Sequence, residues 1–171
     1  MSFIRHVAAN VDKNENIVIS PYSAGVALSM LAEGAEGQTK EEFNKALNDC
    51  LFKAEDLGGN DTVIVNSVNS LWVDDNFSIR NRYLFLLDKD YDALATTLNF
   101  SDPATVQAIN NWCSEHTNGK IKDIIDRLGA GDVMVLANAL YFNAPWLNPF
   151  DSNLTAKADF NGSKGQTKVD M

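Results

Sequence analysis

The sequence predicts a mixed α+β fold in one domain, and three observations lead to that prediction. The 171 residues are 45% hydrophobic, which is enough to bury one substantial core. Stretches rich in β-branched residues alternate with stretches whose apolar residues recur at helical spacing. No repeat or low-complexity tract interrupts them, and the one candidate linker, Lys53 to Asp61, is too short to separate two domains.

The clearest helix signal is Ser20-Pro21, an N-cap residue followed by a first-turn proline. It predicts a helix from Pro21 to Glu33 that stops at Gly34. Because apolar residues occupy most of its circumference, this helix is expected to be buried on nearly all sides. Asp102-Pro103 repeats the signal and predicts a helix to about Thr117.

Shorter patterns predict three further helices. Phe3 to Val11 and Asn81 to Asp88 have helical composition, and the triplet Ile17 to Ile19 between helices is β-rich. Thr39-Lys40-Glu41-Glu42 fits a capping box, in which the Thr39 hydroxyl and the Glu42 carboxylate satisfy free amides at a helix start.

Three segments are predicted to be strands: Val63 to Val73, Tyr91 to Leu98 and Val133 to Phe142. In the last of them, side chains alternate between two faces of the strand, and Asn138 stands in the middle of the face that carries large apolar side chains. This face is expected to look inward. The opposite face carries mainly smaller groups and suits close coverage by a helix. A turn region, Pro145 to Pro149, follows.

Charge and composition exclude several classes of function. The formal charge of −9, without clustered Lys and Arg, argues against a nucleic-acid partner. The longest apolar run, Val133 to Phe142, is interrupted by Asn138 and is too short to span a bilayer, so no membrane partner is expected. Met1 to Asn10 lacks the pattern of a secretory signal, so we expect that any export signal was removed or never existed.

The cysteines and glycosylation sequons say little about location. Cys50 and Cys113 are too few for a disulfide-stapled secreted scaffold and lack metal-site spacing, which predicts two free, mostly buried thiols. Five N-x-[ST] sequons are weak support for secretion in so Asn-rich a chain, and they lie at Asn60, Asn76, Asn99, Asn153 and Asn161.

Cys113 and His116 stand three residues apart on a predicted helix and could form a thiolate–imidazolium pair or a two-ligand metal site. Such sites need an orienting third group or further ligands. Cys113 shares an apolar stripe with Val106 and Ile109, so a buried structural thiol is the better interpretation. His6 is expected on the surface of the first helix. No catalytic residue, metal site or cofactor is predicted.

The remaining candidate sites have structural interpretations. Ser20 and Ser23 lack a histidine partner for nucleophilic catalysis, and Ser20 is explained as a helix cap. Gly129-Ala130-Gly131 lacks the preceding strand and third glycine of a dinucleotide site and is expected to be a loop. The acidic clusters lack the glycine-centred spacing of a calcium loop and are expected to be solvated: Asp74-Asp75, and Asp88, Asp90 and Asp92.

Four segments, in this order, resemble the serpin family. They are NIVISPYS (16–23) continuing through ALSM (27–30) to GAEGQT (34–39), NSLW (69–72), INNW (109–112) with TNGKI (117–121), and LANALYF (136–142) with Trp146 and Pro149-Phe150. The resemblance covers nearly the whole chain.

The resemblance implies a partial serpin fold, with N-terminal helices, strands of the large sheet A and a covering helix, Pro103 to Thr117. The chain would be the N-terminal portion of a single serpin domain, without the remaining strands and the reactive-centre loop. Apolar faces that need the missing strands would then be uncovered, so Leu28, Leu31 and Leu140 should be more accessible than their pattern suggests.

The resemblance also implies where function lies. Ser20, Pro21, Ser23 and Asn138 match the region beneath the point where sheet A parts, and Trp146 matches the upper part of the sheet. A buried carboxamide without partners costs about 1 to 3 kcal/mol, so Asn138 is expected to bond with Ser20 or Ser23. A purely structural, water-filled polar contact is the alternative.

The implied function is not enzymatic. An inhibitory serpin traps serine or cysteine proteases as a suicide substrate, because its cleaved loop inserts into sheet A and carries the acylated protease with it. The alternative is a non-inhibitory serpin that acts as a ligand carrier or folding factor. The implied partners are the target protease and the C-terminal remainder of the same serpin. An extracellular or secreted location is expected, with a cytoplasmic one as the alternative.

Overall fold

A computed structural model describes residues 3–12, 17–47, 62–162 and 164–171. Its contacts define two compact units: Ser20–Asn143, and Met1–Ile19 together with Ala144–Met171. Cys50, the sequon at Asn60 and the candidate linker Lys53 to Asp61 lie outside the described residues.

The predicted helices and strands are all present, with ends that differ by a few residues. The helices are α1 (Phe3–Asn10), α2 (Pro21–Glu33), α3 (Gly37–Leu47), α4 (Asn81–Tyr91) and α5 (Ala104–His116). The strands are β1 (Ile64–Asp74), β2 (Ala93–Leu98), β3 (Met134–Asn143), β4 (Lys157–Gly162) and β5 (Gly165–Asp170). The sequence interpretation assigned no structure to the segment that forms β4 and β5.

The unit Ser20–Asn143 is built on a three-stranded sheet in the order β2-β1-β3. β1 is parallel to β2, with α4 as the crossover, and antiparallel to β3, where Asn69 lies opposite Asn138. The prediction that Val63 to Val73 and Val133 to Phe142 share one sheet is therefore confirmed.

Helix α5 covers one face of this sheet, which we call the lid face. Ile109 and Cys113 of α5 are fully buried against Ala137 and Ala139 of β3. Small side chains on this face of β3 let the helix approach closely, as the alternation predicted. The predicted helix across the sheet is confirmed.

Helices α2 and α4 cover the opposite face, which we call the α2 face. Met30, Leu71 and Leu87 are fully buried there. However, Leu28 and Leu31 remain 42% and 38% exposed, so α2 is not enclosed on nearly all sides. The expected accessibility of these two leucines is confirmed, whereas Leu140 on β3 is half-buried.

The predicted capping box at Thr39 is wrong. Helix α3 begins at Gly37, so Thr39 lies inside its first turn and is not an N-cap. Gly37 has a φ of +59°, which suits the tight turn after α2 and starts the helix early. Glu42 accepts a bond from the Gln38 side chain (2.8 Å) instead of completing a capping box. The β-rich triplet Ile17 to Ile19, for which no strand was predicted, has no regular secondary structure.

Asp74 is not the solvated charge that its cluster suggested. Its carboxylate accepts hydrogen bonds from the backbone N–H groups of Phe100 (2.9 Å) and Asn76 (3.0 Å). These bonds, the one from Phe100 most of all, hold the pKa of Asp74 below its ordinary value. Asp74 therefore ties the end of β1 to the connection between β2 and α5.

The other unit contains α1, the antiparallel hairpin of β4 and β5, and a short 3-10 helix, Ser152–Leu154. At the end of the hairpin opposite its turn, Lys157 and Asp170 form a salt bridge, with their charged groups 2.9 Å apart. Ala156 and Met171 continue the ladder with two backbone hydrogen bonds. Across the described parts of the chain, no helix has the length and apolar character that crossing a membrane requires.

Candidate functional site

The predicted sheet-opening residues on α2 form its capped start. Ser20 is extended, and its Oγ accepts a hydrogen bond from the backbone N–H of Ser23 (3.1 Å). Pro21 occupies the first turn, where its missing N–H costs no hydrogen bond. The predicted cap is confirmed, and it accounts for the position of all three residues on structural grounds.

Asn138 belongs to a chain of side-chain amides that runs across the α2 face. Its Nδ2 donates to Asn69 Oδ1 (2.8 Å) and to Ser67 Oγ (3.1 Å) on the neighbouring strand. Asn69 Nδ2 in turn donates to the backbone oxygen of Tyr91 (2.7 Å), at the end of α4. One polar network therefore links β3, β1 and the α4–β2 connection.

The orientation of these amides follows from the last bond in the chain. Because the Tyr91 carbonyl can only accept, Asn69 must present its Nδ2 to it and its Oδ1 to Asn138. Asn138 must then use its Nδ2 here. Its Oδ1 consequently points away, buried and without a hydrogen-bond partner. Such an orphan acceptor costs about 1 to 3 kcal/mol.

The prediction that Asn138 bonds with Ser20 or Ser23 is wrong, because its Nδ2 is used by Ser67 and Asn69 and its Oδ1 is unpartnered. The register explains this, since Asn69 lies directly opposite Asn138, where cross-strand side chains meet. A signal for Asn69 was available in the sequence. Like Asn138, it interrupts an alternating face of large apolar residues, here with Leu71 and Val73.

A second orphan atom lies on the helix that packs against this face. Ser29 of α2 is only 7% exposed, and its Oγ has no hydrogen-bond partner. Among the described residues, Ser29 Oγ and Asn138 Oδ1 are the only buried side-chain polar atoms in this condition. Native proteins leave few such groups, so both sites call for a partner.

The C-terminal end of α2 is fixed by two tyrosines of α4. Tyr83 donates its hydroxyl to the backbone oxygen of Met30 (3.0 Å). Burial, assisted by the negative charge of Glu33, raises the pKa of Tyr83 and of Tyr91 to about 12. Both hydroxyls are therefore neutral at physiological pH, and the Tyr91 hydroxyl forms a hydrogen bond with the Glu33 carboxylate on α2.

The structure that covers the lid face, which we call the lid, includes more than helix α5. Asn110 of α5 is 5% exposed and accepts from the N–H groups of Ile124 (2.9 Å) and Ile125 (3.1 Å), while its Nδ2 donates to the Ile125 oxygen (2.9 Å). Thr117 bonds to Cys113 O and to Ile121 N. These contacts clamp the return segment, residues 117–128, onto the helix. The sequence analysis missed both clamps.

The alternative catalytic interpretations have no support in the geometry. Cys113 is fully buried, and burial raises the pKa of its thiol, which opposes thiolate formation. His116 directs Nδ1 at the Trp112 carbonyl (2.7 Å) and not at Cys113. The described residues contain no group of three His, Cys, Asp or Glu side chains placed to hold a metal ion. Gly129-Ala130-Gly131 is a loop, as predicted.

Trp146, the predicted upper-sheet residue, follows β3 in the unit of Ala144–Met171 and is 75% exposed. The predicted site therefore has two halves in the unit Ser20–Asn143, namely the capped start of α2 and the Asn138 network. Among the described residues, no hydrogen bond joins these halves.

Comparison with known proteins agrees with this arrangement of a three-stranded sheet, a covering helix and a buried helix behind it. The family model described as Serpin (serine protease inhibitor) matches residues 1–171. This chain is a member of the serpin family. It is 36% identical to Serpin-Z10 of Arabidopsis thaliana over 172 residues, which is 92% of this chain and 45% of that protein. An uncharacterized serpin-like protein of Methanosarcina acetivorans is 31% identical over 92% of this chain and 40% of its own length.

Solved serpin structures have the same fold. Arabidopsis AtSerpin1 in its native stressed conformation superposes with a TM-score of 0.83 and 26% identity, over 98% of this chain and 47% of its own. The thermophilic serpin Tengpin gives TM-scores of 0.81 in its native state and 0.82 in its latent state, at 31% identity. The fold is therefore a partial serpin fold, and the chain spans less than half the length of these relatives.

Proposed function

We propose that this chain is part of the scaffold of an inhibitory serpin, which traps serine or cysteine proteases by inserting its cleaved loop into the sheet beside β3. The proposed partners are the target protease and a C-terminal serpin half. An extracellular location is part of the proposal. The observation that supports loop insertion is the outer edge of β3, which pairs with no other strand among the described residues.

The direction of the backbone groups on β3 supports insertion there. Val133 O accepts a hydrogen bond from Asp74 N, so Val133 and every second residue after it direct their backbone groups at β1. The residues between them therefore direct N–H and C=O outwards: Met134, Leu136, Asn138 and Leu140. Four successive outward positions provide a template for an added strand, which would gain backbone hydrogen bonds and apolar burial.

We propose further that Asn138, with Ser20, Pro21 and Ser23, belongs to the region that controls sheet opening. Asn138 stands on the edge strand, ties it to β1 through Asn69, and retains an unused buried acceptor. An added strand or a C-terminal element that supplies a donor to Asn138 Oδ1 would remove the cost of this orphan. The state of the sheet would then be coupled to one carboxamide.

Inhibition is tested with a protein of serpin length that contains residues 1–171, incubated with trypsin, chymotrypsin, elastase and papain. An inhibitor forms a covalent complex with at least one protease that survives SDS. A ligand carrier or folding factor, the second candidate, is cleaved as a substrate and leaves no complex. The second candidate function would use the same scaffold, and the relatives of this chain include proteins called only serpin-like.

Control of opening is tested in the same protein with Asn138→Ala. If the network holds the sheet closed, this variant should insert its loop prematurely or polymerise, which native gels detect. Asn143→Ala is the matched control, because Asn143 ends the same strand and, among the described residues, its side chain donates to the Tyr141 hydroxyl (3.1 Å) and not to the Asn138 network. Loss of stability in Asn138→Ala without polymers, and with unchanged inhibition, would show that the role is structural only.

A further inference from the structure

A second unpaired strand edge lies on the opposite side of the sheet among the described residues. β2 is the other outer strand, and no described residue pairs with its free side. Its sequence, ALATTL, contains none of the charged residues or prolines that usually protect an edge strand from pairing. We call this strand side, with the adjoining surface of α4, the β2 edge.

The backbone direction of this edge can be fixed. Leu98 O accepts a hydrogen bond from Asp75 N, so Leu98 and every second residue before it direct their backbone groups at β1. Ala95 and Thr97 therefore present N–H and C=O outwards. An extended segment of another protein can bond to these groups as a fourth strand.

The side chains around the edge define the chemistry of such a segment. A shallow groove between α4 and β2 is lined by five apolar residues and two acidic ones, and no described basic residue lines it: Leu84, Phe85, Ala93, Leu94, Ala95, Asp88 and Asp92. Phe85 is 61% exposed. A lysine or arginine stem can lie along the Phe85 ring while its charge reaches Asp88.

The other side of the strand favours apolar residues. Leu94 borders the groove as well, but side chains alternate along β2, so its side chain lies on the opposite face of the strand from Ala95 and is 45% exposed. A second copy of this chain is a poor occupant, because each chain has a formal charge of −9 and the copies repel each other. We propose that the β2 edge binds an extended segment of a partner protein in which lysine or arginine alternates with apolar residues.

The test uses the 171-residue chain and two fluorescein-labelled octapeptides, one alternating lysine with valine and one alternating glutamate with valine. Fluorescence anisotropy should show that the lysine peptide binds and that its affinity falls as salt is added. The glutamate peptide should bind at least about ten-fold more weakly, or not at all. Equal binding of both peptides, or no binding of the lysine peptide, overturns the proposal.

Two matched pairs of variants locate the site. Ala95→Pro removes the outward N–H and should weaken binding about ten-fold, whereas Ala95→Gly keeps it and should bind within about two-fold of the parent. Asp88→Asn should weaken binding about three-fold, while Asp90→Asn, which removes a charge that pairs with Lys89 outside the groove, should not.

Circular dichroism of each variant checks that it is folded. If Ala95→Pro does not fold, the comparison of Asp88→Asn with Asp90→Asn, both on the exposed surface of α4, decides whether the peptide binds at the β2 edge. Equal affinities within either folded pair place the peptide elsewhere and overturn the proposal. Self-association of the chain that Ala95→Pro abolishes also overturns it, because the occupant is then a second copy.

Discussion

The two faces of the sheet differ in how completely their polar groups are satisfied. On the lid face, Asn110 makes three hydrogen bonds with the return segment. The Thr117 hydroxyl donates to the Cys113 carbonyl and accepts from the Ile121 N–H. On the α2 face, Asn138 Oδ1 lacks a partner, and so does Ser29 Oγ on the helix that covers it. The apolar groups divide less sharply, because Met30, Leu71 and Leu87 are fully buried on the α2 face as well, but Leu28 and Leu31 on α2 remain partly exposed.

The two faces differ in whether residues of this chain close them. The lid face is closed by residues of this chain, since helix, return segment and sheet satisfy one another. The α2 face has both exposed leucines and orphan polar atoms, which is the condition expected of a surface that another element covers. The lid should therefore respond to mutation as a finished core, and the α2 face should not.

The largest expected effect comes from the lid core. Ile109→Ala removes a fully buried side chain and should lower the free energy of unfolding by about 2 to 5 kcal/mol, as measured with urea. Leu28→Ala is the control on the α2 face. With 42% of Leu28 exposed, its cost should be well below that of Ile109→Ala. Equal costs would remove the distinction between the faces.

The next effect concerns the clamp of the return segment. Asn110→Ala leaves the N–H groups of Ile124 and Ile125 without an acceptor and should cost about 1 to 3 kcal/mol. Hydrogen exchange should accelerate at these two amides. Asn111→Ala is the matched control, because Asn111 is exposed on the same helix and should change stability by less than about 0.5 kcal/mol. Unchanged exchange in Asn110→Ala would disprove the clamp.

Sequence patterns predicted the elements and the two faces because both depend on local rules. The Ser20-Pro21 start defined α2, and alternation along β3 correctly separated the small lid-facing residues from the large ones around Asn138. These features need only the period of a strand and the chemistry of a cap.

The partners of the polar residues were not predictable in the same way, because they depend on register and on distant segments. Asn138 meets Asn69, which lies 69 positions earlier in the chain, only because β1 and β3 pair in one register. Asn110 meets Ile125 only because the chain folds back after α5. The Thr39 error was local, since a capping box was inferred where a positive-φ glycine starts the helix.

A smaller effect, of opposite sign, is expected at Ser29. Its Oγ is buried and unpaired, so Ser29→Ala removes an unsatisfied group and should raise the free energy of unfolding of this chain by about 0.5 to 1 kcal/mol. In a serpin-length protein that supplies a partner, the same substitution should destabilise. Destabilisation of the 171-residue chain itself would mean that Ser29 is already satisfied.

The smallest effect is a pH dependence that distinguishes the faces through their tyrosines. Burial and Glu33 raise the pKa of Tyr83 and Tyr91 on the α2 face to about 12, whereas hydrogen bonds from Asn118 and Asn143 lower the pKa of Tyr141 on the lid side. A raised folded-state pKa gives stability that is present below the unfolded value of 10 and is lost as the pH rises to about 12. The lowered pKa of Tyr141 has the opposite sign and adds stability as the pH rises towards 10.

Phenolate absorbance during an alkaline titration should therefore show Tyr141 ionising first, and urea unfolding should show stability falling above pH 10. Tyr83→Phe should reduce that alkaline loss, because a phenyl ring cannot ionise. Tyr141→Phe should remove the earliest absorbance change and leave the alkaline loss in place. If Tyr83→Phe has no effect on the alkaline loss, the α2 face is already hydrated around this hydroxyl, and the packing of α4 against the end of α2 is looser than the Tyr83–Met30 bond indicates.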